Sequence, residues 1–179
     1  MVATPPRRMT IAEFDALPEA EPFYYELRNG ELVEVPRPKH GHYCLQRQLR
    51  VLLESSARGA GVVTTGLRFR ALPEYEFRVA HFAYVSRERW ERIDPEDNLR
   101  GAPDLVVEIV APWDTVYNLY DKEKLCLENG SREFWVLDPK LRQVKVSTPD
   151  GITITYRDGQ EIPLRLFGSA TLAVNAIFS

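Results

Sequence analysis

The chain has 179 residues, 44% of them hydrophobic, which predicts one globular domain over residues 1–179 with a core of its own. Its 23 Lys and Arg against 26 Asp and Glu give a net charge of -3, which excludes a surface coated in positive charge for tight non-specific DNA binding. The chain contains no run of eighteen apolar residues, and its first residues lack the apolar stretch of a secretory signal, so we expect a cytoplasmic protein without membrane contact.

The first half of the chain alternates helix and strand signals. In chain order we predict a disordered basic stretch at 1–8, a short helix with a capping box at Thr10 and Glu13 that ends at Pro18, a β-hairpin at 23–35 around Asn29-Gly30, a helix at 42–57 that ends before Gly59 and Gly61, and strands at 62–72 and 76–85. Cys44 and Cys126 stand singly in predicted helices without metal-ligand spacing, so we interpret both as core thiols.

The second half predicts a longer series of strands around one helix. In chain order we expect a polar excursion at 87–100 that holds Trp90, a buried strand at 105–110, a helix that Asp114 or Thr115 caps and that ends near Asn129, a strand at 134–138, strands at 144–147 and 152–156 around a turn at 149–151, and a last strand at 172–174. This order is typical of an α/β domain with a mixed β-sheet flanked by helices and with hairpins toward both ends. Apolar residues through 162–167 predict either core cover or a dimer surface, and we expect a homodimer.

Two carboxylates interrupt the predicted buried strand. Residues 105–110 form an almost continuous apolar run, and Glu108 stands within it, four residues after Asp104. Side chains at i and i+4 of a strand project to the same face, so we expect the two carboxylates to converge. Burial and mutual repulsion make such a pair costly, and a divalent ion such as Mg²⁺ or Mn²⁺ is the simplest compensator. The alternative is that Asp104 caps a turn after Pro103 while Glu108 pairs with an arginine.

Several motifs follow one another in a specific order. They are Tyr25-Glu26-Leu27 with Gly30-Glu31, a histidine ahead of the first long helix, residues 101–108, and residues 130–139. Together they cover nearly the whole chain, and they resemble the Uma-two family of restriction endonuclease-like proteins, a large bacterial group with the PD-(D/E)XK nuclease fold. The resemblance implies a restriction-endonuclease-like sheet, a hydrolase acting on DNA, and a metal site built from acidic residues on adjacent strands.

The resemblance also implies an active-site lysine that has moved onto the helix after the central strand. Val110 stands where an ordinary member of the fold carries lysine. Lys122, eight residues before Gly130, is the expected replacement, and Lys124 is the alternative. Glu26 lies in a motif that the family shares and is expected as an outer-sphere acid, although an exposed glutamate on a strand edge explains it equally well.

The chain departs from the family pattern at one acidic position. His81 stands where family members carry the aspartate of a proline-aspartate pair, and Asn118 stands where an acidic residue four before Lys122 is common. A neutral imidazole binds metals but brings no negative charge, so we expect weakened affinity for Mg²⁺ and a preference for softer ions. His40 and His42 compete for the family's histidine ahead of the helix, and either could simply cap it.

Two functions follow from this pattern. In the first, a metal-dependent DNA endonuclease holds a divalent ion with Asp104, Glu108 and His81, while Glu108, Lys122 and Glu26 serve catalysis. In the second, the chain keeps the nuclease fold without cleavage and acts as a nucleic-acid-binding or protein-interaction module. The histidine at position 81 favours the second function, and the paired carboxylates count against a third possibility, a purely structural protein without a site.

Overall fold

A computed structural model describes residues 7–18, 21–57, 59–72 and 74–179. Of the stretch predicted to be disordered, residues 1–6 lie outside the described residues. The helices are α1 Ile11–Asp15, α2 His40–Ala57, α3 Arg87–Trp90, α4 Val116–Glu128 and α5 Val174–Ile177. The strands are β1 Phe23–Arg28, β2 Glu31–Pro36, β3 Gly61–Arg70, β4 Arg78–Ser86, β5 Leu99–Arg100, β6 Leu105–Ile109, β7 Glu133–Asp138, β8 Gln143–Ser147, β9 Thr153–Arg157, β10 Glu161–Pro163 and β11 Thr171–Ala173.

Local sequence signals account for the first helix and for the hairpin that follows it. The side chains of Thr10 and Glu13 each bond to the other's backbone N–H, which confirms the capping box of α1. Asn29 and Gly30 both have positive φ, 51° and 81°, as a two-residue turn between β1 and β2 requires. The predicted hairpin is therefore confirmed, and it forms a separate two-stranded sheet.

One boundary and one segment differ from the predictions, and the structure selects one of two predicted caps. Helix α2 begins at His40 rather than at 42. The polar excursion contains the one-turn helix α3 and the short strand β5, which pairs in parallel with β3. Both are too short to produce a periodic pattern in the sequence. At the start of α4, Thr115 rather than Asp114 is the cap, because its side chain accepts a hydrogen bond from the N–H of Asn118.

A mixed sheet of seven strands carries the fold, in the order β5-β3-β4-β6-β7-β8-β9. Only the β3–β5 and β6–β7 pairs are parallel, and α4 connects β6 to β7. Alternate side chains of β6 enter two different cores: Val107 packs with Leu49 and Leu53 of α2, and Val106 packs with Cys126 of α4. The sheet is thus covered by α2 on one face and by α4 on the other.

The C-terminal segment belongs to the core on the α2 face. Ile162 and Leu164 are buried, and Leu166 and Phe167 pack against the same cluster. Of the two interpretations of this segment, core cover is the one that the structure shows. The prediction for the cysteines is half right, because Cys126 is buried whereas Cys44 is exposed.

Within the described ranges, no helix combines the length and the apolar character that crossing a membrane requires.

Leu49 tests how much the α2 face contributes to stability. Its side chain is fully buried, so Leu49→Ala should lower the free energy of unfolding by about 2–5 kcal/mol. Val51 on the same helix is 61% exposed, and Val51→Ala should change it by less than about 0.5 kcal/mol. Urea unfolding of both variants measures the difference. Equal losses would show that α2 does not pack on the sheet through Leu49.

Candidate active site

Lys122 is the centre of a buried polar cluster. The cap at Thr115 begins α4, and Lys122 lies on the buried face of this helix with 6% of its surface exposed. Its Nζ donates a hydrogen bond to the carbonyl oxygen of Val79 at 2.6 Å. The same atom lies 3.0 Å from Oε1 of Glu108 and 3.5 Å from Oε1 of Glu26. One ammonium group therefore joins α4 to three strands.

Strand pairing explains why His81 and Glu108 meet. Strands β4 and β6 are antiparallel, with Phe82 opposite Val107. Just beyond this pair, the N–H of His81 donates to Oε1 of Glu108 at 3.2 Å.

The N-terminal hairpin brings Glu26 to the same place. Leu27 of β1 forms an isolated antiparallel bridge with Phe77, directly before β4. Glu26 then accepts a hydrogen bond from the N–H of Val79 at 3.0 Å through Oε1, and from Arg28 at 2.8 Å through Oε2. Glu26 is only 1% exposed. The interpretation of Glu26 as an exposed glutamate on a strand edge is therefore wrong.

The two glutamates differ in their electrostatic surroundings. Burial raises the pKa of Glu26, but the positive charges of Lys122, Arg28 and Arg78 lower it by more, so that the resulting pKa is about 2. At Glu108 burial raises the pKa by more than the Lys122 ammonium lowers it. For Lys122 burial lowers the pKa, and the two carboxylates raise it above its ordinary value. Lys122 is thus a permanent cation at neutral pH and cannot serve as a general base there.

His81 is a neutral imidazole in this cluster. Burial and the neighbouring Lys122 ammonium lower its pKa to about 3. The backbone N–H of Ile109 donates to Nδ1 of His81 at 3.1 Å, so this nitrogen carries a lone pair. Oε2 of Glu108 lies 3.3 Å from the same Nδ1, and the two groups are not an ion pair because the ring is uncharged at neutral pH.

The structure decides between the two candidate histidines and the two candidate lysines. His42 contacts His81 edge to face, with 4.4 Å between ring centroids, whereas His40 is exposed and contacts Cys44. Burial and His81 lower the pKa of His42 to about 4. Lys124 is exposed and pairs with Glu128 on its own helix. His42 and Lys122 are therefore the members of each pair that lie at the cluster.

The predicted convergence of Asp104 and Glu108 is wrong. Both side chains have the parity of the face toward α4, but four residues along a strand separate them by about 13 Å. Asp104 lies at the opposite end of β6, where it accepts a hydrogen bond from the N–H of Ser86 at 2.9 Å and pairs with Arg89 at 3.2 Å. Asp104 therefore stabilises the turn into α3, a role similar to the turn cap that was the predicted alternative. It cannot share a metal ion with Glu108.

Sequence reasoning missed two arginines beside the cluster. Arg28 bonds to Glu26, and Arg78 bonds to Glu76 at 2.8 Å and to Asp121 at 2.9 Å. Arg28 had a readable signal, because it lies two residues after Glu26 and so on the same face of β1. Arg78 had the same signal from Glu76, two residues before it, but its pairing with Asp121 had none, because these two residues are 43 apart in the sequence.

The donor atoms at the cluster fit one class of divalent ion better than another. Oε2 of Glu108 accepts no hydrogen bond from any described residue, and the neutral His81 ring lies beside it. Across residues 7–18, 21–57, 59–72 and 74–179 no three His, Cys, Asp or Glu side chains are grouped so as to hold a metal ion. One carboxylate and one imidazole suit an ion that keeps several waters, and the imidazole favours Mn²⁺ over Mg²⁺.

Comparisons with known proteins agree on the fold. A family model described as "Putative restriction endonuclease", Uma2, matches residues 11–175. A crystal structure from Anabaena variabilis, described as a "putative nuclease belonging to DUF820", superposes with a TM-score of 0.82 at 22% sequence identity. That match covers 95% of this chain and 97% of the other chain. At this identity the likeness concerns the fold. No curated protein matches the chain significantly.

Substitution of Lys122 tests whether the stability of the cluster depends on the ammonium group. Lys122→Met leaves Glu108 buried without a cation, so it should lower the free energy of unfolding by about 3–5 kcal/mol. Glu108→Gln should change the free energy of unfolding by less than about 1 kcal/mol. Burial already disfavours the ionised form of the Glu108 carboxyl, and Lys122 still has its ion pair with Glu26 in this variant. The double variant should be more stable than Lys122→Met. Urea unfolding measures all three, with the exposed Lys124→Met as control. A large loss in Glu108→Gln would make Glu108 a structural ion-pair member.

Glu26 predicts a stability change in acid. Its pKa is about 2 in the folded chain against an ordinary 4.5, so its contribution is complete above pH 4.5 and disappears as the pH falls toward 2. The urea midpoint should therefore fall more steeply below pH 4.5 in the unaltered chain than in Glu26→Gln. Glu31→Gln, at an exposed position of the same hairpin, is the control. Parallel curves for all three proteins would exclude Glu26 as a source of acid sensitivity.

Proposed function

The chain belongs to the Uma2 family of restriction endonuclease-like proteins, and from this premise we propose that it hydrolyses phosphodiester bonds of DNA with the help of a divalent metal ion. The observation that carries the proposal is the contact of the buried Lys122 ammonium with Glu108 and Glu26. An ordinary member of the fold carries a lysine where this chain has Val110. Lys122, on the helix after the central strand, would take the place of that lysine. The cluster holds the residue types that this chemistry needs, in hydrogen-bonding contact.

Each residue of the cluster has a role that its contacts support. Lys122 is a permanent cation, so it can offset the negative charge that develops on the phosphate during attack. Glu26 remains ionised and holds Lys122 in place, which makes it a positioning residue. Glu108 would hold the metal ion, and the neutral His81 would join it by exchanging the hydrogen bond between its Nδ1 and the N–H of Ile109 for the ion. When bound, such an ion supplies charge neutralisation and makes a water more acidic.

His81 supports a second candidate function. Where the family pattern has a charged aspartate, this cluster has an uncharged ring, so one anionic ligand is missing. A chain with this substitution can keep the nuclease fold and bind nucleic acid without cutting it. The same residue therefore separates the two candidates experimentally.

Restoring the acidic residue should restore magnesium-dependent cleavage. We expect the unaltered chain to show little or no cleavage of plasmid DNA with Mg²⁺ and more with Mn²⁺, because imidazole retains affinity for softer ions. His81→Asp should gain activity with Mg²⁺, since the added carboxylate attracts a hard cation. Gel assays over a panel of divalent ions measure this effect.

The matched control is His40→Asp, the same substitution at an exposed histidine of α2, which should behave as the unaltered chain. Combining His81→Asp with Lys122→Met should abolish the gain. Robust Mg²⁺-dependent cleavage by the unaltered chain would place His81 outside the metal site. Absence of cleavage by His81→Asp with every ion would leave the non-cleaving module as the function.

A further inference from the structure

A large cleft opens beside the buried cluster. It has a volume of about 900 Å³, and one of its walls is formed by the turn of the β1–β2 hairpin and another by the first turns of α4. Its lining includes Arg7, Arg8, Arg28, Arg78 and Tyr117. A cleft of this size accommodates a nucleotide-sized ligand.

The charge at the mouth of the cleft favours an anionic ligand. Arg78 pairs with Glu76 and Asp121 on the inner wall, and over the whole lining four arginines face three carboxylates, the third being Glu31, which leaves one net positive charge. Arg7 and Arg8 lie exposed at the mouth, and the only described partner of Arg7 there is a surface pair with Glu13. A surface pair of this kind is weak and exchanges readily for phosphate.

Tyr117 adds an aromatic surface to the same cleft. Its side chain is 76% exposed. It belongs to an exposed stripe of α4 with Val116 and Tyr120, which are 86% and 64% exposed, and with Trp113 just before the helix. Large exposed aromatic groups on one helix face are unusual in a monomeric surface and indicate a contact site. Within this stripe, Tyr117 is the member that also lines the cleft.

We propose that this cleft binds single-stranded nucleic acid, with an unpaired base stacked on Tyr117 and the flanking phosphates on Arg7 and Arg8. Bases of a duplex are stacked on each other and cannot stack on a side chain, whereas a single strand offers every base face. Arginines beside an exposed aromatic ring provide both contacts that such a strand needs. A second copy of this chain would instead have to bury these guanidinium groups, which is costly unless its own carboxylates pair with them.

Arg28 connects the cleft to the cluster. Arg28 lines the cleft and bonds to Glu26, which contacts Lys122. A strand held in the cleft is therefore linked to Lys122 through two side chains, Arg28 and Glu26. The inference rests on the proposed function only for what happens after binding, and it names the substrate as single-stranded or unpaired.

Binding without cleavage tests the inference. Fluorescence anisotropy in EDTA would compare a labelled oligothymidine of about 12 nucleotides with a duplex of equal length. We expect the single strand to bind about tenfold more tightly than the duplex or better. Tyr117→Ala should weaken single-strand binding about tenfold, the effect of losing one stacked base, and Tyr117→Phe should retain it. Arg8→Gln should reduce the slope of log K against log salt by about 0.7.

Tyr43→Ala is the matched control, because Tyr43 is an exposed tyrosine of α2 that does not line the cleft, and it should bind like the unaltered chain. Equal affinity for both forms of DNA, or equal effects of Tyr117→Ala and Tyr43→Ala, would overturn the inference. So would a dimer in sedimentation that Tyr117→Ala dissociates while oligonucleotide binding is unchanged. Preferential single-strand binding by a chain that cleaves nothing with any ion would refute the proposed hydrolysis and leave this inference standing.

Discussion

A buried ammonium group is stable only where carboxylates and carbonyl oxygens surround it, and Lys122 imposes this constraint on the whole protein. Its partners come from three separate parts of the chain: Glu26 from the hairpin, Val79 from β4 and Glu108 from β6. Each part must therefore be in place before the charge is compensated. The hairpin, which forms its own small sheet, is held against the main sheet partly by this requirement.

The same cluster couples the proposed chemistry to the neighbouring cleft. Arg28 bonds to Glu26 on one side and lines the cleft on the other, so charge at the mouth and charge at the centre are linked through two hydrogen-bonded groups. In the proposed function, the uncharged His81 ring would make the centre less negative than an aspartate would. Binding of a polyanion would thereby be favoured and binding of a hard cation weakened. On this proposal, His81 shifts the balance from cleaving nucleic acid toward binding it.

Local signals in the sequence determined most of the secondary structure. Asn29-Gly30 specified the hairpin because both residues tolerate positive φ, and Thr10 and Thr115 specified helix starts because their hydroxyls satisfy free backbone N–H groups. The apolar run of β6 predicted a strand covered on both faces, which the two cores confirm. The family resemblance, carried by motifs spread over the chain, predicted the mixed sheet and pointed to Lys122.

Only the tertiary structure decided which side chains meet. Side-chain parity placed Asp104 and Glu108 on one face, but parity gives no distance along a strand, so their convergence failed. Helix periodicity did not identify which of Lys122 and Lys124 is buried, since burial depends on what packs against α4. For the same reason it did not distinguish His42 from His40. The pairing of Arg78 with Asp121 and of Glu26 with Lys122 joins residues far apart in the chain. Such contacts arise from strand order and register, which the sequence encodes only through the packing of the whole fold.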